Sequence, residues 1–214
     1  MKDEGVGPVV SNKMVKILKR KEKSLKVKFL DKSEQKAAYK LRYDIFCKDL
    51  EWIPENKEGL DFDSYDKEAL HLGVFSSGEL ISYCRIVQGK DNFMLATDFN
   101  DLLDLKEVRS QSIEMSRLIT SKEAGRFQKF AAPLMMYRRL YQYMTSKELR
   151  YCYIVVTKDY LETINKIFPF KQVGGMIEYK PGIFTVAAYL DLRVLEDYFK
   201  NSHSFYLWFV QSRA

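Results

Sequence analysis

The stretch Ile113-Glu114-Met115-Ser116-Arg117-Leu118-Ile119 reads as one strand of a sheet, apolar at both ends with two opposite charges inside. Charge within a central strand is costly unless paired, so Glu114 and Arg117 each predict a partner elsewhere in the chain. On its N-terminal side the pattern predicts a short helix near Asp98–Leu103. Before that comes a hairpin, Leu70–Phe75 and Leu80–Val87, turned by Ser76-Ser77-Gly78. Residues 53–68 are polar and irregular, with Pro54, Asn56, Gly59 and a cluster of acids. Upstream, Asp31 or Ser33 caps a helix running to about Leu50, with Ala38, Leu41, Ile45 and Phe46 inward. The alternation Leu25-Lys26-Val27-Lys28-Phe29 reads as a first strand.

On the C-terminal side a polar loop, Thr120–Gln128, leads into a long helix from about Ala132 to Leu149. The apolar run Tyr151–Val156 is a buried strand, and Asp159–Phe168 a helix stopped by Pro169. Strands Gly175–Tyr179 and Phe184–Leu192 follow, joined by Lys180-Pro181-Gly182, and residues 192–200 are helical. Phe205–Val210 is one more strand or a packed tail. No repeat or linker interrupts the order, which predicts a single α/β domain over residues 24–214 with a mixed sheet. Residues 1–23 precede it as a basic leader, loose over 1–12 and weakly helical over 13–23.

Of 214 residues, 46% are hydrophobic and 30% charged, enough apolar material for one sizeable core and too much for a disordered chain. The net charge of +6 is unevenly placed. Asn12–Lys28 holds eight basic residues and one acid, Glu22, so this window carries +7 and the remainder −1. The body is close to neutral, and the basic segment is either a solvated face or an attractor for an anionic partner. No apolar run is long enough for a transmembrane helix, and Gly7-Pro8-Val9-Val10 is too short for a secretory core. Three scattered cysteines, Cys47, Cys84 and Cys152, suit a reducing cytoplasmic setting. With two histidines and no Cys-x-x-Cys there is no zinc-ligand spacing, so no metal is expected. Nucleophile-elbow, Walker and Rossmann glycine patterns are absent, and nothing resembles a nucleic-acid-binding motif.

Chemistry-bearing residues fall in four clusters: Arg42-x3-Phe46-x5-Trp52, Asp63-x2-Asp66, Arg85 beside Cys84, and Glu114-x2-Arg117. Arg42 and Phe46, four apart, share a helical face. Arg42, Arg85 and Arg117 against Asp63, Asp66 and Glu114 give three charges of each sign, able to neutralise one another as a network.

In order and spacing this set resembles the acyl-homoserine-lactone (autoinducer) synthases and their relatives, the long-chain N-acyl amino acid synthases. Both are similar to the GCN5-related N-acyltransferases. The shared signature falls on Arg42, Phe46, Trp52, Asp63, Asp66, Arg85, Phe99, Glu114 and Arg117. The likeness follows element order over residues 25 to about 192 and implies that fold, a mixed sheet flanked by helices with splayed central strands. Autoinducer synthases typically place Trp before the Glu and Phe after the Arg. Here Ile113 and Leu118 stand there, and the segment, like Val186–Arg193, looks more like the N-acyl amino acid synthases.

The resemblance implies attack by a free amine on an acyl thioester, with no covalent nucleophile and no bound cofactor. Glu114 would accept the amine proton, directly or through water. Arg117, Arg85, Asp63 and Asp66 would form the floor of the acceptor site, and Arg42, Phe46 and Trp52 would close over it. The strand bearing Glu114 should splay or bulge to offer an N–H to the thioester oxygen. Acyltransferases of this fold that use coenzyme A usually carry a glycine-rich loop before the long helix. Lys122-Glu123-Ala124-Gly125-Arg126-Phe127 keeps one glycine, which favours acyl carrier protein as donor. Docking of that acidic partner would use Lys19, Arg20, Arg138, Arg139, Lys147 and Arg150. Met115, Met135, Met136 and Tyr137 are candidates for an acyl-chain tunnel. The expected reaction joins a fatty acyl group to an amino acid in the cytoplasm. The alternative is a lactone-forming synthase using S-adenosylmethionine, and a more distant one is a non-catalytic module that binds an anionic surface, with peripheral membrane contact.

Overall fold

The computed structural model describes Pro8 and residues 10–211. The leader over residues 1–12 falls mostly outside them, although Val10 is already buried. The strands are β1 (Leu25–Phe29), β2 (Leu70–Ser76), β3 (Glu79–Gln88), β4 (Ser112–Thr120), β5 (Tyr151–Thr157), β6 (Lys171–Lys180) and β7 (Ile183–Asp191). The helices are α1 (Asn12–Lys21), α2 (Lys32–Arg42), α3 (Arg126–Ser146), α4 (Lys158–Ile164), α5 (Leu192–Lys200) and α6 (His203–Tyr206). The strands form a seven-stranded, mostly antiparallel sheet in the order β1-β2-β3-β4-β5-β7-β6. The chain divides into two compact units.

One unit comprises Lys21–Val87 and Met115–Leu140. Its β1, β2 and β3 pair antiparallel, Val27 opposite Val74 and His71 opposite Arg85. The turn between β2 and β3 is two residues, Ser77 and Gly78, both with positive φ as a tight hairpin turn requires. Helix α2 starts on a reciprocal cap. Asp31 Oδ1 accepts from the backbone N–H of Ser33 and Glu34, and Glu34 Oε2 accepts from the N–H of Asp31. Ala38 turns inward against Leu30, Phe46, Tyr83 and Ile119. Immediately after Arg42 the helix widens to a π-helical stretch, Tyr43–Asp49.

Helix α3 begins six residues earlier than expected and carries Pro133 inside it. Proline is favoured in the first helical turn, whereas Pro133 lies beyond it. The earlier turn is held by Gln128, whose Oε1 accepts the Gly125 N–H at 2.7 Å, and by complete burial of Ala131 and Ala132.

The other unit comprises the segment up to Arg20, Gln88–Glu114, and the chain from Tyr141 onward. Here β5, β7 and β6 pair antiparallel, with β6 starting four residues before the expected Gly175. Its ladder breaks between Val173 and Met176 around Gly174, φ +64°. A Cβ there would lie 1.8 Å from the Leu102 carbonyl oxygen, so only glycine fits. The expected helix at Asp98–Leu103 is instead a series of turns that buries Leu102 and Leu103. Helix α4 ends at Ile164, where Asn165 turns its side chain to the Phe170 N–H. The segment Phe205–Val210 is helical, continuing α6 into a π-helical turn, Leu207–Gln211. Spacing of i, i+3, i+4 brings Phe205, Trp208 and Phe209 together, with Phe209 also packed against Phe168, Phe199 and Tyr141.

Candidate active site

Three arginines and three aspartates meet in the first of these units. Arg42 has no exposed surface. Its Nε donates to Asp61 Oδ2 at 2.9 Å, Nη1 to Asp66 Oδ1 at 2.7 Å and Nη2 to Asp63 Oδ2 at 3.5 Å. Arg85, equally buried on β3, donates through Nη1 to Asp63 Oδ1 and, at 3.2 Å, to Asp66 Oδ1. Its Nε donates to Ser116 Oγ at 3.0 Å. Arg117 on β4 donates through Nη2 to Asp63 Oδ2 at 3.1 Å, and its Nε lies 3.3 Å from Asp61 Oδ2. The six formal charges cancel, which is what makes burial of such a cluster tolerable.

Each guanidinium also faces an aromatic ring: Arg42 at Tyr39, Arg85 at Tyr65 and Arg117 at Phe46, with centroid distances of 5.6, 5.1 and 5.2 Å. Trp52 packs on Phe46 at 6.1 Å. The aspartates are fixed by their own chain. Asp63 caps a short 3₁₀ turn, Ser64–Lys67, by accepting from Tyr65 N, and Asp66 Oδ2 accepts the Asp63 N–H at 2.8 Å. Beneath them His71 Nδ1 lies 2.7 Å from the Tyr83 hydroxyl and Nε2 lies 3.3 Å from the Asp66 carbonyl oxygen.

Burial sets the electrostatics against the ionised forms, and pairing overcomes it at Asp66 and Arg42 but not at Arg117. Burial works against the Asp66 carboxylate, but Arg42 and Arg85 outweigh it and hold its pKa below the usual range. Burial likewise opposes the Arg42 cation, yet the surrounding anionic groups, Asp61 and Asp66 among them, raise its pKa above the ordinary value. Burial lowers the pKa of Arg117, Asp61 resists, and the neighbouring cations Arg42 and Arg85 add to the fall. His71 is pushed down by burial and Tyr83 up, so both are neutral near pH 7.

Backbone strain and side-chain exposure distinguish the edge of this cluster. Arg117 adopts φ +55°, left-handed for a non-glycine residue in the middle of a strand, a strain of about 1–3 kcal/mol. It is also the more open arginine, its side chain 17% exposed, and Asp63 is the more open carboxylate at 25%. Arg42, Arg85, Asp61 and Asp66 are at 5% or less.

Glu114, three residues before Arg117 on β4, is 1% exposed. Its Oε1 accepts the Met94 N–H at 3.0 Å and its Oε2 the Leu95 N–H at 3.1 Å, two donors from one 3₁₀ turn, Met94–Ala96. The third carboxylate found among the three arginines is thus Asp61, which the spacing argument passed over. The signal was available: Asp61 and Asp63 are two apart on extended chain and therefore on one side, with exposed Phe62 on the other. Ser116 was also passed over.

The remaining sequence candidates are dispersed. Phe99 is half-buried with its ring 5.9 Å from Tyr179. Met115, Met136 and Tyr137 are buried and Met135 half-buried. Lys19, Arg20 and Lys147 are exposed. Arg138 is paired with Glu22, Arg139 lies over the Phe29 ring, and Arg150 makes a two-pronged bond to Asp191. In the loop before α3 the N–H groups of Glu123, Ala124 and Gly125 are taken by Ser121 Oγ, Ser121 O and Gln128 Oε1. Among the described residues no group of three or more His, Cys, Asp or Glu could hold a metal ion, and no helix is long and apolar enough to cross a membrane.

Residues 41–137, which hold this whole cluster, match the acetyltransferase (GNAT) domain. The chain superposes on a CoA-dependent acyl-homoserine lactone synthase, BjaI, with a TM-score of 0.67 and 17% identity, over 79% of this chain and 82% of that one. The chain has a GNAT fold. The FeeM N-acyl amino acid synthase from uncultured soil microbes shares this GNAT fold with a TM-score of 0.60 and 15% identity, over 81% and 95% of the two chains. In sequence the chain is 27% identical to the acyl-homoserine-lactone synthase of Aliivibrio fischeri over 139 residues, 62% of this chain and 72% of that protein.

Proposed function

We propose that the protein is an N-acyltransferase that moves a fatty acyl group from an acyl-carrier-protein thioester to the α-amine of an amino acid. The observation that carries the acceptor class is the edge of the ion cluster. Four of its six charges are buried, leaving one guanidinium, Arg117, and one carboxylate, Asp63, in partial contact with solvent. Among the described residues Arg117 Nη1 takes no acceptor, so it is available to a carboxylate. A paired cation and anion 3.1 Å apart complement the carboxylate and ammonium of an α-amino acid.

In the reaction the neutral amine attacks the thioester carbon, a C–N bond forms, the C–S bond breaks and the thiol leaves. Glu114 takes the amine proton, directly or through a water, and the departing sulfur is protonated in turn. The Met94 and Leu95 N–H groups fix the orientation of its carboxylate. Arg42 and Arg85 act through Asp63 and Asp66, whose positions they set; Phe46 and Trp52 wall the guanidinium of Arg117. The occupied N–H groups of the 123–125 loop support a donor without a diphosphate to cradle, hence a carrier protein over coenzyme A.

A second reading is favoured by the similarity to acyl-homoserine-lactone synthases in both sequence and structure. S-adenosylmethionine carries the same α-amino acid head group, so the cluster suits it equally. Mass spectrometry of the products made by the purified protein from fatty-acylated acyl carrier protein, an amino acid mixture and S-adenosylmethionine tests both. N-acyl amino acids are expected. Lactones alone would transfer the conclusion to the second reading, and no acylated amine from folded protein would reject both. Substituting acyl-CoA in the same assay tests the donor.

A further inference from the structure

The excess positive charge of the chain is concentrated in residues 12–28, none of which belongs to the neutral cluster, and part of it lines a groove. The groove has a volume of about 280 Å³ and is bounded by Lys23, Ser24, Lys26, Lys28, Glu34, Phe75 and the Ser77-Gly78 turn. It lies along β1, the edge strand of the sheet, where Lys26 stands opposite Phe75 and Lys28 opposite Gly73. Lys28 is paired with Glu34, its Nζ 5.3 Å from the Phe75 ring centre. Lys23 and Lys26 are exposed and have no ion-pair partner among the described residues. The groove therefore holds three cations and a single anion, with an aromatic floor.

We propose that this groove seats the phosphate headgroup of an anionic lipid and docks the protein at a membrane surface. Lysines are compact, mobile point charges that suit a fluid layer of phosphates, whereas a free phosphate is usually gripped by arginine forks or converging N–H groups. In the chain just before the groove, α1 carries the exposed Lys13 and Lys16, while the apolar Val15 and Leu18 of that helix are buried. The contact is thus electrostatic, without insertion of α1. The choice of lipid rests in one respect on the acyl-transfer reading: an N-acylated product is an amphiphile that leaves most readily into a bilayer.

The test is co-sedimentation of the full chain with vesicles, without any turnover. Vesicles containing phosphatidylglycerol should bind the protein, those of phosphatidylcholine alone should not, and added salt should weaken binding. The double variant Lys23→Glu/Lys26→Glu should lose more than about ten-fold in partitioning, since each lysine near such a surface is worth about five-fold. Glycerol 3-phosphate, the free headgroup, should not displace the protein from vesicles; displacement would identify a free-phosphate site instead. A matched control, Lys171→Glu/Lys180→Glu on β6, changes net charge equally. Equal loss in the control, or unaltered vesicle binding by the groove variant, overturns the proposal. So does loss of binding to purified acyl carrier protein with vesicle binding intact. Turnover with a water-soluble short-chain donor should be unchanged in the groove variant, which separates this proposal from the acyl-transfer reading.

Discussion

Arg42 and Asp61 face each other 2.9 Å apart with almost no solvent on either side. The pair joins α2 to the chain just before the 3₁₀ turn of Asp63 and Asp66, and Asp61 also lies beside Arg117. Replacing one partner of a buried pair leaves an uncompensated charge, which costs about 3–5 kcal/mol. Asp61→Asn should therefore destabilise by that order. Asp63→Asn, at a more solvated position, should lose clearly less. Urea unfolding with an unchanged slope checks the ranking; equal losses would show that Asp61 has no special place in the cluster.

Arg117 combines a strained backbone with the most open guanidinium, and the two roles separate by substitution. Arg117→Ala and Arg117→Gly both remove the side chain, but only glycine adopts φ +55° without cost. The glycine variant should be the more stable by about 1 kcal/mol. Arg117→Lys keeps the charge and loses the fork, so the acceptor KM should rise by about ten-fold or more while the melting temperature moves little. A KM that stays at the wild-type value would remove Arg117 from acceptor binding.

The parts of the molecule that were legible in its sequence are those in which one pattern acts alone. Alternation marked β1, the Ser76-Ser77-Gly78 turn marked the hairpin of β2 and β3, and a cap at Asp31 or Ser33 marked the start of α2. The six-charge cluster was half legible. Arg85 and Arg117 stand out on apolar strands, but Asp61 is hidden in a run of acids, and only the direction of an extended chain separates it from solvated neighbours. The segment at 98–103 has helical composition, yet its turns are imposed by long-range contact, Gly174 against the Leu102 carbonyl. The last residues, Phe205–Val210, are a continuous apolar run that reads as one more strand or a packed tail. Their aromatic spacing favours a helix once Phe168 and Phe199 are there to receive it.

Glu114→Gln tests the proton route. The amide oxygen still accepts one of the two N–H donors, while its NH₂ group faces the other, so a stability loss of about 1–3 kcal/mol is expected in a protein that still folds. Turnover should fall by about 10²–10⁴-fold, the usual contribution of a positioned acid or base, with the acceptor KM little changed. Circular dichroism confirms the fold, and steady-state kinetics give the split. Wild-type turnover in this variant would exclude Glu114 as the proton acceptor.

His71 predicts the acid behaviour of the cluster. It is buried, faces Tyr83 and the Asp66 carbonyl, packs on Tyr39, and lies near the charges of Asp66, Arg42 and Arg85. Burial lowers its pKa in the folded protein from the ordinary 6.5, so on acidification the unfolded chain binds the proton first. Its contribution is fully present above pH 6.5 and is lost as pH falls through the folded value. Asp66, also lowered by its arginines, adds a second loss that begins only below its ordinary 3.8. Unfolding free energy should thus decline in two stages as pH is reduced, the first beginning near 6.5. His71→Asn should be less stable at neutral pH but should lack the first stage and keep the second. If both proteins follow parallel curves between pH 7 and 5, the first stage does not belong to His71.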